Sequence, residues 1–108
     1  MKIGNKVKVH TYCPKDSLDQ VRVAIGNANG GVIGNYKFCS FVTEGFGYFL
    51  PTENAMPNIG EIGKHEKVAE YKIEFICNKT DLQNIIKAIK DAHPYEEVPI
   101  DIFPLVEL

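Results

Sequence analysis

Apolar and polar residues alternate in three stretches of the chain, and each stretch predicts a β-strand. Over 6–12, Val7 and Val9 share one face of the strand while polar residues occupy the other. The same period of two recurs over 68–77 and over 98–103. The last of these strands contains proline, which donates no ladder hydrogen bond, so we expect it at an edge of the sheet.

Two further stretches, 36–42 and 45–50, are rich in aromatic residues and are also typical of strands. They predict either one long strand interrupted by glycines or two short strands, and the pattern leaves both open. Residues 52–67 follow, with Pro and Gly among polar residues and no steady period. A loop of this length in a small domain is usually functional or mobile.

Helical spacing of apolar residues predicts two amphipathic helices. The first follows a cap at Asp16 or Ser17 and ends where Gly30 and Gly31 supply a left-handed conformation. The second begins at the capping-box pattern of residues 80–83 and stops before Pro94. The apolar positions are Leu18, Val21, Ala24, Ile25 and Ala28 in the first helix, and Leu82, Ile85, Ile86, Ile89 and Ala92 in the second.

The predicted element order is β-α-β-β-α-β, which is the order of a ferredoxin-like α+β sandwich. Right-handed crossovers then place both helices on one face of an antiparallel sheet. The chain has 108 residues, of which 44% are hydrophobic, and this size suits one domain spanning 1–108.

Two helices cover only one face of such a sheet, so the other face must be polar or covered. The aromatic stretches predict middle strands that are apolar on both sides, with Tyr36 and Phe38 alternating with Phe41. We therefore expect self-association through the open face or through strand edges. The alternative is a larger helix-covered core with scattered exposed aromatic residues.

Charge and composition exclude several classes of partner. The net charge is −2, without the basic excess that nucleic-acid binding requires. No apolar run is long enough for a membrane span, and the first residues lack the apolar stretch of a secretion signal, so a cytoplasmic location is expected. Cys13, Cys39 and Cys77 form no C-x-x-C pair and are expected to be reduced thiols, with Cys39 buried.

The segment His93-Pro94-Tyr95-Glu96-Glu97 carries the most unusual chemistry, with an imidazole, a phenol and two carboxylates at a helix end. Imidazole and carboxylate suit a divalent metal ion, but further ligands from His65, His10 or Cys39 would be needed. If the strand begins there, Glu96 and Glu97 point to opposite sides, and Glu96 lies near the apolar side or at a subunit boundary, where it needs a partner. The alternative is structural, because histidine at a helix C-terminus is favoured by the helix dipole.

Other polar and glycine-rich motifs favour structural roles. Gly30 to Asn35 follows a helix instead of opening one, so a helix cap with a turn is favoured over a phosphate cradle. Gly45 to Gly47 predicts a bulge or a close backbone approach. The glutamate-rich stretch of Glu61, Glu66 and Glu70 is expected on a solvated face, and no convincing catalytic pair is present.

Several strings, in this order, resemble the YqfO-type inserted domain of the dinuclear-metal GTP cyclohydrolase I type 2 homologues, also called NGG-interacting-factor-like proteins. The resemblance runs from about Val9 to the C-terminus. The strings are GVIGNY at 31–36, CSF at 39–41, EGFGYFLP at 44–51, IG at 59–60, AHPYEE at 92–97 and DIFPL at 101–105. HPYE also resembles a string near the end of CutA proteins, in which proline follows one residue sooner than Pro99 does here.

The resemblance implies a PII/CutA-like domain that forms homo-oligomers, with a trimer ahead of a dimer. It also implies ligand sites in clefts and in a long loop, which here is 52–67. The outer halves that build the two-metal site of the full-length proteins are absent from the 108 residues, so we expect a free-standing domain without cyclohydrolase activity. No catalytic residue is carried over.

Together the residues and the resemblance predict a non-enzymatic PII-like regulatory module that binds a small ligand or a partner protein between subunits. Two alternatives stay open: a CutA-like protein that binds a divalent metal ion, and a structural assembly module for a separately encoded protein. The predicted ligand-binding residues are His93, Tyr95, Glu96, Gly60 and Gly63, and the predicted metal ligands are His93, Glu96 and His65.

Overall fold

Four strands and two α-helices, in the order β-α-β-β-α-β, form the fold of the computed structural model, which describes residues 1–108. Short 3-10 turns, Lys15–Ser17 and Lys79–Asp81, lead into the two helices. The predicted order is confirmed. The elements are β1 Lys2–Pro14, α1 Leu18–Asn27, β2 Phe41–Phe49, β3 Glu66–Asn78, α2 Leu82–Ala92 and β4 Ile100–Glu107.

The strands make one antiparallel sheet in the order β2-β3-β1-β4, so that β1 and β3 are central. In the register, Val9 pairs with Phe75 on one side and with Ile102 on the other. This topology confirms the ferredoxin-like α+β class. It also confirms that the proline-containing last strand lies at an edge.

The core lies between the helices and one face of the two central strands. Alternate residues of β1 and β3 face the helices because side chains in a strand alternate between faces. Val9, Ile73, Ile85 and Ile89 are fully buried in one apolar cluster. The period-two and helical patterns of the sequence therefore converge on the same interior.

The helix ends differ in detail from the prediction. The first helix closes with a Schellman arrangement, in which Gly30 N–H donates to the Ile25 carbonyl (2.9 Å) and Asn29 N–H donates to the Gly26 carbonyl (3.1 Å). Asn29 (φ 72°), rather than Gly30, takes the left-handed conformation, and Gly31 (φ 83°) follows it. The predicted capping box does not form, because α2 starts from a 3-10 turn with no side-chain cap at Asp81.

The aromatic stretch forms a single strand, β2, and residues 36–40 lie outside it. Phe38 takes a left-handed conformation (φ 58°), which interrupts an extended run at that point. The register between β2 and β3 is continuous, so the predicted bulge at 45–47 is absent. Although β2 is a middle strand in chain order, it lies at an edge of the sheet.

The open face of the sheet has a charged centre. The Glu74 carboxylate lies 3.1 Å from His10 Nε2. It also lies 3.7 Å from Lys8 Nζ and 3.7 Å from Lys72 Nζ. Phe103 packs on the His10 ring, with the two centroids 4.8 Å apart. The prediction that both faces of the sheet are apolar is therefore wrong for the central strands. On their open face, charged side chains form ion pairs with one another.

Exposed aromatic surface is concentrated on β2. Phe41 (67% exposed), Phe46 (63%) and Tyr48 (71%) project from this strand. Lys67 Nζ lies 4.2 Å from the centroid of the Phe46 ring, a cation–π contact that leaves most of the ring accessible. The exposed aromatic surface considered for self-association is thus the edge strand β2, rather than a whole face of the sheet.

The three cysteines are free thiols. Cys13 and Cys77 are buried in the core, whereas Cys39 is only half-buried, which corrects the expectation that Cys39 is buried. None of the helices is long and apolar enough to cross a membrane.

Truncation of the core tests this packing. Ile89→Ala removes a fully buried side chain and is expected to lower the free energy of unfolding by about 2–5 kcal/mol in a denaturant titration. The matched control is Ile62→Ala, since Ile62 is 52% exposed and its truncation should change stability by less than about 0.5 kcal/mol. Equal effects of the two substitutions would contradict the assignment of the core.

Candidate functional site

His93 fixes the direction of the chain after α2. The helix ends at Ala92, and His93 takes an extended conformation (φ −91°, ψ 140°) ahead of Pro94. The His93 ring is buried, with Nε2 2.6 Å from the Tyr12 carbonyl and Nδ1 accepting the Tyr95 N–H at 3.1 Å. A neutral imidazole protonated on Nε2 satisfies both contacts. His93 therefore ties the end of β1 to the segment that follows α2.

Tyr95 links this segment to the β2–β3 hairpin. Its hydroxyl donates to Glu70 Oε2 at 2.7 Å, and its ring is tilted against the His93 ring with centroids 4.7 Å apart. Glu70 can lie there because Gly47 has no side chain: a Cβ at that position would overlap the Glu70 carboxylate. The predicted close approach in 45–47 is confirmed at Gly47.

Glu96 holds the long loop. Its Oε1 accepts the backbone N–H of Met56 at 2.6 Å, across 40 residues of sequence. Glu96 thus finds the partner that the sequence required, although this partner is a backbone amide of the loop. Because β4 begins only at Ile100, strand alternation does not apply to residues 96 and 97. The condition for the expected opposite orientation is therefore not met, and Glu96 and Glu97 both line the same cavity.

A cavity of about 370 Å³ opens between these segments. It arises because β1 ends at Pro14, opposite Glu70, while β2 continues to pair with β3 as far as Glu66. The free side of β3 is left without a strand partner. The cavity is walled by the end of β2, the start of the loop after it and the segment 95–99. All these walls come from one chain.

The structure brings together some of the predicted ligand-binding residues and leaves others apart. Tyr95 and Glu96 line the cavity, whereas His93 supports it from behind. Gly60 and Gly63 do not line it, but both have positive φ (96° and 80°), and Gly63 N–H donates to the Pro51 carbonyl at 2.8 Å. These glycines shape the loop, and their role as ligand contacts stays a prediction.

The predicted metal ligands His93, Glu96 and His65 do not come together in one chain, which contains no group of three or more His, Cys, Asp or Glu placed to hold a metal ion. Both nitrogens of His93 are already used, so its ring does not fit a metal without breaking a contact. Metal binding stays a prediction.

Elemental analysis of untagged protein purified without chelator, compared with His93→Ala, would decide whether a metal ion binds. Loss of metal in the variant supports metal binding by His93, and absence of metal from both proteins rules it out.

Glu70 and Gly47 are the site residues that sequence reasoning missed. Glu70 was expected on a solvated face, yet it is half-buried and bonded to Tyr95. Its position depends on strand register, because Glu70 pairs with Gly45 and lies beside Gly47. The only signal in the sequence is the pair of glycines in an otherwise aromatic strand.

Burial and negative charge shape the acid–base properties of the site. Burial, and then the hydrogen bond and charge of Glu70, raise the pKa of the Tyr95 hydroxyl well above its ordinary value. Burial, and then the charge of Glu70, raise the pKa of Cys13 to about 11. Tyr95 is therefore held as a hydrogen-bond donor and Cys13 as an unreactive thiol at neutral pH.

The fold defines the class of protein. CutA1 from Shewanella sp. SIB1 superposes with a TM-score of 0.71, over 99% of this chain and 86% of that one, at 17% sequence identity. At this identity the likeness concerns the fold alone, and it confirms a ferredoxin-like fold of the PII/CutA type. No protein-family model matches the chain.

The sequence relatives are more specific. The GTP cyclohydrolase 1 type 2 homologue of Bacillus subtilis is 45% identical over 98 residues, which are 91% of this chain and 26% of that protein. A Bacillus cereus protein related to NIF3 superposes with a TM-score of 0.84 at 38% identity, over 99% of this chain and 27% of that one. The chain thus corresponds to one domain of these NIF3-related homologues, and spans about a quarter of their length.

Removal of the Tyr95 hydroxyl tests the link to Glu70. Tyr95→Phe is expected to cost about 1 kcal/mol at pH 7, because one hydrogen bond is lost. The folded pKa of Tyr95 is raised, so its contribution is complete below pH 10, the ordinary value, and is lost as pH rises above it. Denaturant titrations should therefore show a steeper loss of stability above pH 10 in the wild type than in Tyr95→Phe.

The matched control is Tyr36→Phe, which removes an exposed phenol outside the cavity. It should keep the wild-type dependence on pH. The same pH dependence in the wild type and in Tyr95→Phe would contradict a protonated Tyr95 bonded to Glu70.

Proposed function

We propose that this chain is a non-enzymatic regulatory or binding module that takes a small ligand in the cavity between the β2–β3 hairpin and segment 95–99, and that it acts as a homo-oligomer. The observation that carries the proposal is the cavity itself. Its volume of about 370 Å³ is within the range of small-molecule sites. Tyr95, Glu70 and Glu96 are each fixed by a hydrogen bond, so the walls are preorganised for binding.

The polar groups of the cavity favour binding over catalysis. Tyr95 is held protonated by Glu70, and Glu96 is engaged by the Met56 amide. The lining contains neither histidine nor cysteine, and no serine. The aliphatic hydroxyl of the lining belongs to Thr52, and it makes no hydrogen bond to a base, so no paired aliphatic nucleophile and base lie in the cavity.

Self-association is supported by the exposed aromatic side chains of the edge strand β2, which a monomer would leave in water. PII-like modules commonly form trimers, so the resemblance favours a trimer over a dimer. A structural assembly module for a separately encoded protein is the competing function. It would predict co-purification with that protein and no effect of small molecules on stability.

Ligand binding should raise the melting temperature of the protein. In a thermal-shift panel of small metabolites at millimolar concentration, a ligand at 100 times its Kd adds about 2.7 kcal/mol to the stability of the folded state. Ala55→Leu places a larger side chain in the cavity lining and is expected to abolish the shift. Ala69→Leu, at an exposed position outside the lining, should retain it. A panel without any stabilising compound would contradict the proposal.

Self-association should be visible by light scattering at micromolar concentration as a mass that is a multiple of 12.1 kDa. Phe41→Lys places a charge on the exposed edge strand and is expected to lower the mass. Val23→Lys is the control, because Val23 is similarly accessible but lies on α1. A wild-type protein that runs as a lone protomer would contradict the oligomer.

A further inference from the structure

The cavity has negative charge and no counterion. Three of its lining residues, Glu70, Glu96 and Glu97, carry carboxylates, and no lysine, arginine or histidine lines it. The ion pairs of the chain involve other acidic residues. None of the three carboxylates of the cavity therefore has a basic partner in the chain.

The existing contacts of these carboxylates leave acceptor capacity toward a ligand. Glu70 uses Oε2 for the Tyr95 hydroxyl, and Glu96 uses Oε1 for the Met56 amide. Glu97 makes no hydrogen bond or ion pair within the chain, and it is exposed. An ionised carboxylate accepts at about four sites, so all three retain free lone pairs.

The remaining walls are apolar and aromatic. Tyr48, Phe49 and Ile59 lie on the side formed by β2 and the loop, and Pro99 lies on the other. Lys67 is the cation that approaches this wall, but its Nζ lies over Phe46, 6.0 Å from the Tyr48 centroid, and Lys67 itself is outside the lining. Such walls stabilise a hydrocarbon body, and aromatic faces attract a cation.

From this combination we infer that the cavity binds an organic cation, a compound with an ammonium or guanidinium group on an apolar body. The charged group is held by the carboxylates of Glu96, Glu97 and Glu70, and the body lies against the aromatic wall. The inference rests on the proposed function, since it names the ligand class of the same cavity.

Two competing ligand classes fit less well. An anion would have to leave water and approach three unneutralised carboxylates, which like-charge repulsion disfavours. A bare divalent metal ion needs three or four converging ligand atoms at about 2 Å, and no such group of side chains exists in the chain. An amine, in contrast, donates hydrogen bonds over a wider range of geometries and needs no such convergence.

Binding of matched probes tests the charge requirement. The probes are 2-phenylethylammonium, 3-phenylpropionate of nearly the same shape, and Mg²⁺, each titrated into isotope-labelled protein and followed by amide chemical shifts. We expect 2-phenylethylammonium to give saturable shifts at residues 47–59 and 95–97, and 3-phenylpropionate and Mg²⁺ to give none there. Added salt should weaken binding of the ammonium probe, because screening reduces the attraction between charges.

Variants that remove one negative charge test which carboxylate contacts the ammonium group of the probe. Glu97→Gln leaves the fold untouched, since Glu97 has no partner in the chain, and should weaken binding of the ammonium probe by about tenfold, as expected for loss of a charge-assisted contact. Glu53→Gln is the matched control: it removes one negative charge from an exposed position of the loop after β2, outside the lining, and should change the Kd less than about twofold.

The outcomes separate this inference from the proposed function. If 3-phenylpropionate saturates the cavity amides and the ammonium probe does not, the cavity is a ligand site but its charge assignment is wrong. If Mg²⁺ alone gives the saturable shifts, the ligand is a metal ion and the inference is overturned. An unchanged Kd in Glu97→Gln overturns it as well. If no probe affects the cavity amides, the inference fails, whereas the proposed function is judged by the metabolite panel.

Discussion

The buried imidazole of His93 holds the segment after α2 against the end of β1, next to the point where β4 begins to pair with β1 at Thr11. Pro94 forbids continuation of α2, and the ring nitrogens then hold the Tyr12 carbonyl and the Tyr95 amide. The segment after the helix is thereby drawn across the end of β1. From this segment Tyr95 reaches Glu70, and Glu96 reaches the loop. A histidine that looks like a candidate ligand thus acts as a brace for the residues that line the cavity.

The cavity itself follows from unequal strand lengths. Because β1 stops opposite Glu70 while the β2–β3 hairpin continues, the far part of β3 has a strand on one side only. The loop and segment 95–99 lie beyond the end of β1, and together with Glu70 and the end of β2 they surround the cavity. These segments are anchored at few points, one of them the bond from Met56 to Glu96, so space remains between them. The volume is a consequence of topology rather than of any single motif.

The fold was predictable from the sequence because periodicity encodes which face of each element is buried, and both Val9 and Ile89 obey it. Strand order is not encoded in this way, so the pattern of the aromatic stretch does not specify its position at an edge of the sheet. The contact of Glu70 with Tyr95 joins residues 25 positions apart through a register that no local pattern specifies. Tyr95 and Glu96 were predicted as site residues because the segment 93–97 concentrates unusual side-chain chemistry. Gly47 was not, because its contribution is the absence of a side chain, which leaves space for the Glu70 carboxylate.

Tyr48 connects the proposed binding and assembly surfaces. It lines the cavity, and it is also one of the exposed aromatic residues of the edge strand. A copy that packs along β2 would therefore change the environment of a cavity wall. By thermodynamic linkage, any ligand whose affinity differs between the free and assembled protein must shift assembly by the same factor. A ligand in the proposed cavity and a copy on the proposed association surface would both contact Tyr48, and a shared contact of this kind is a physical route for coupling between two binding events.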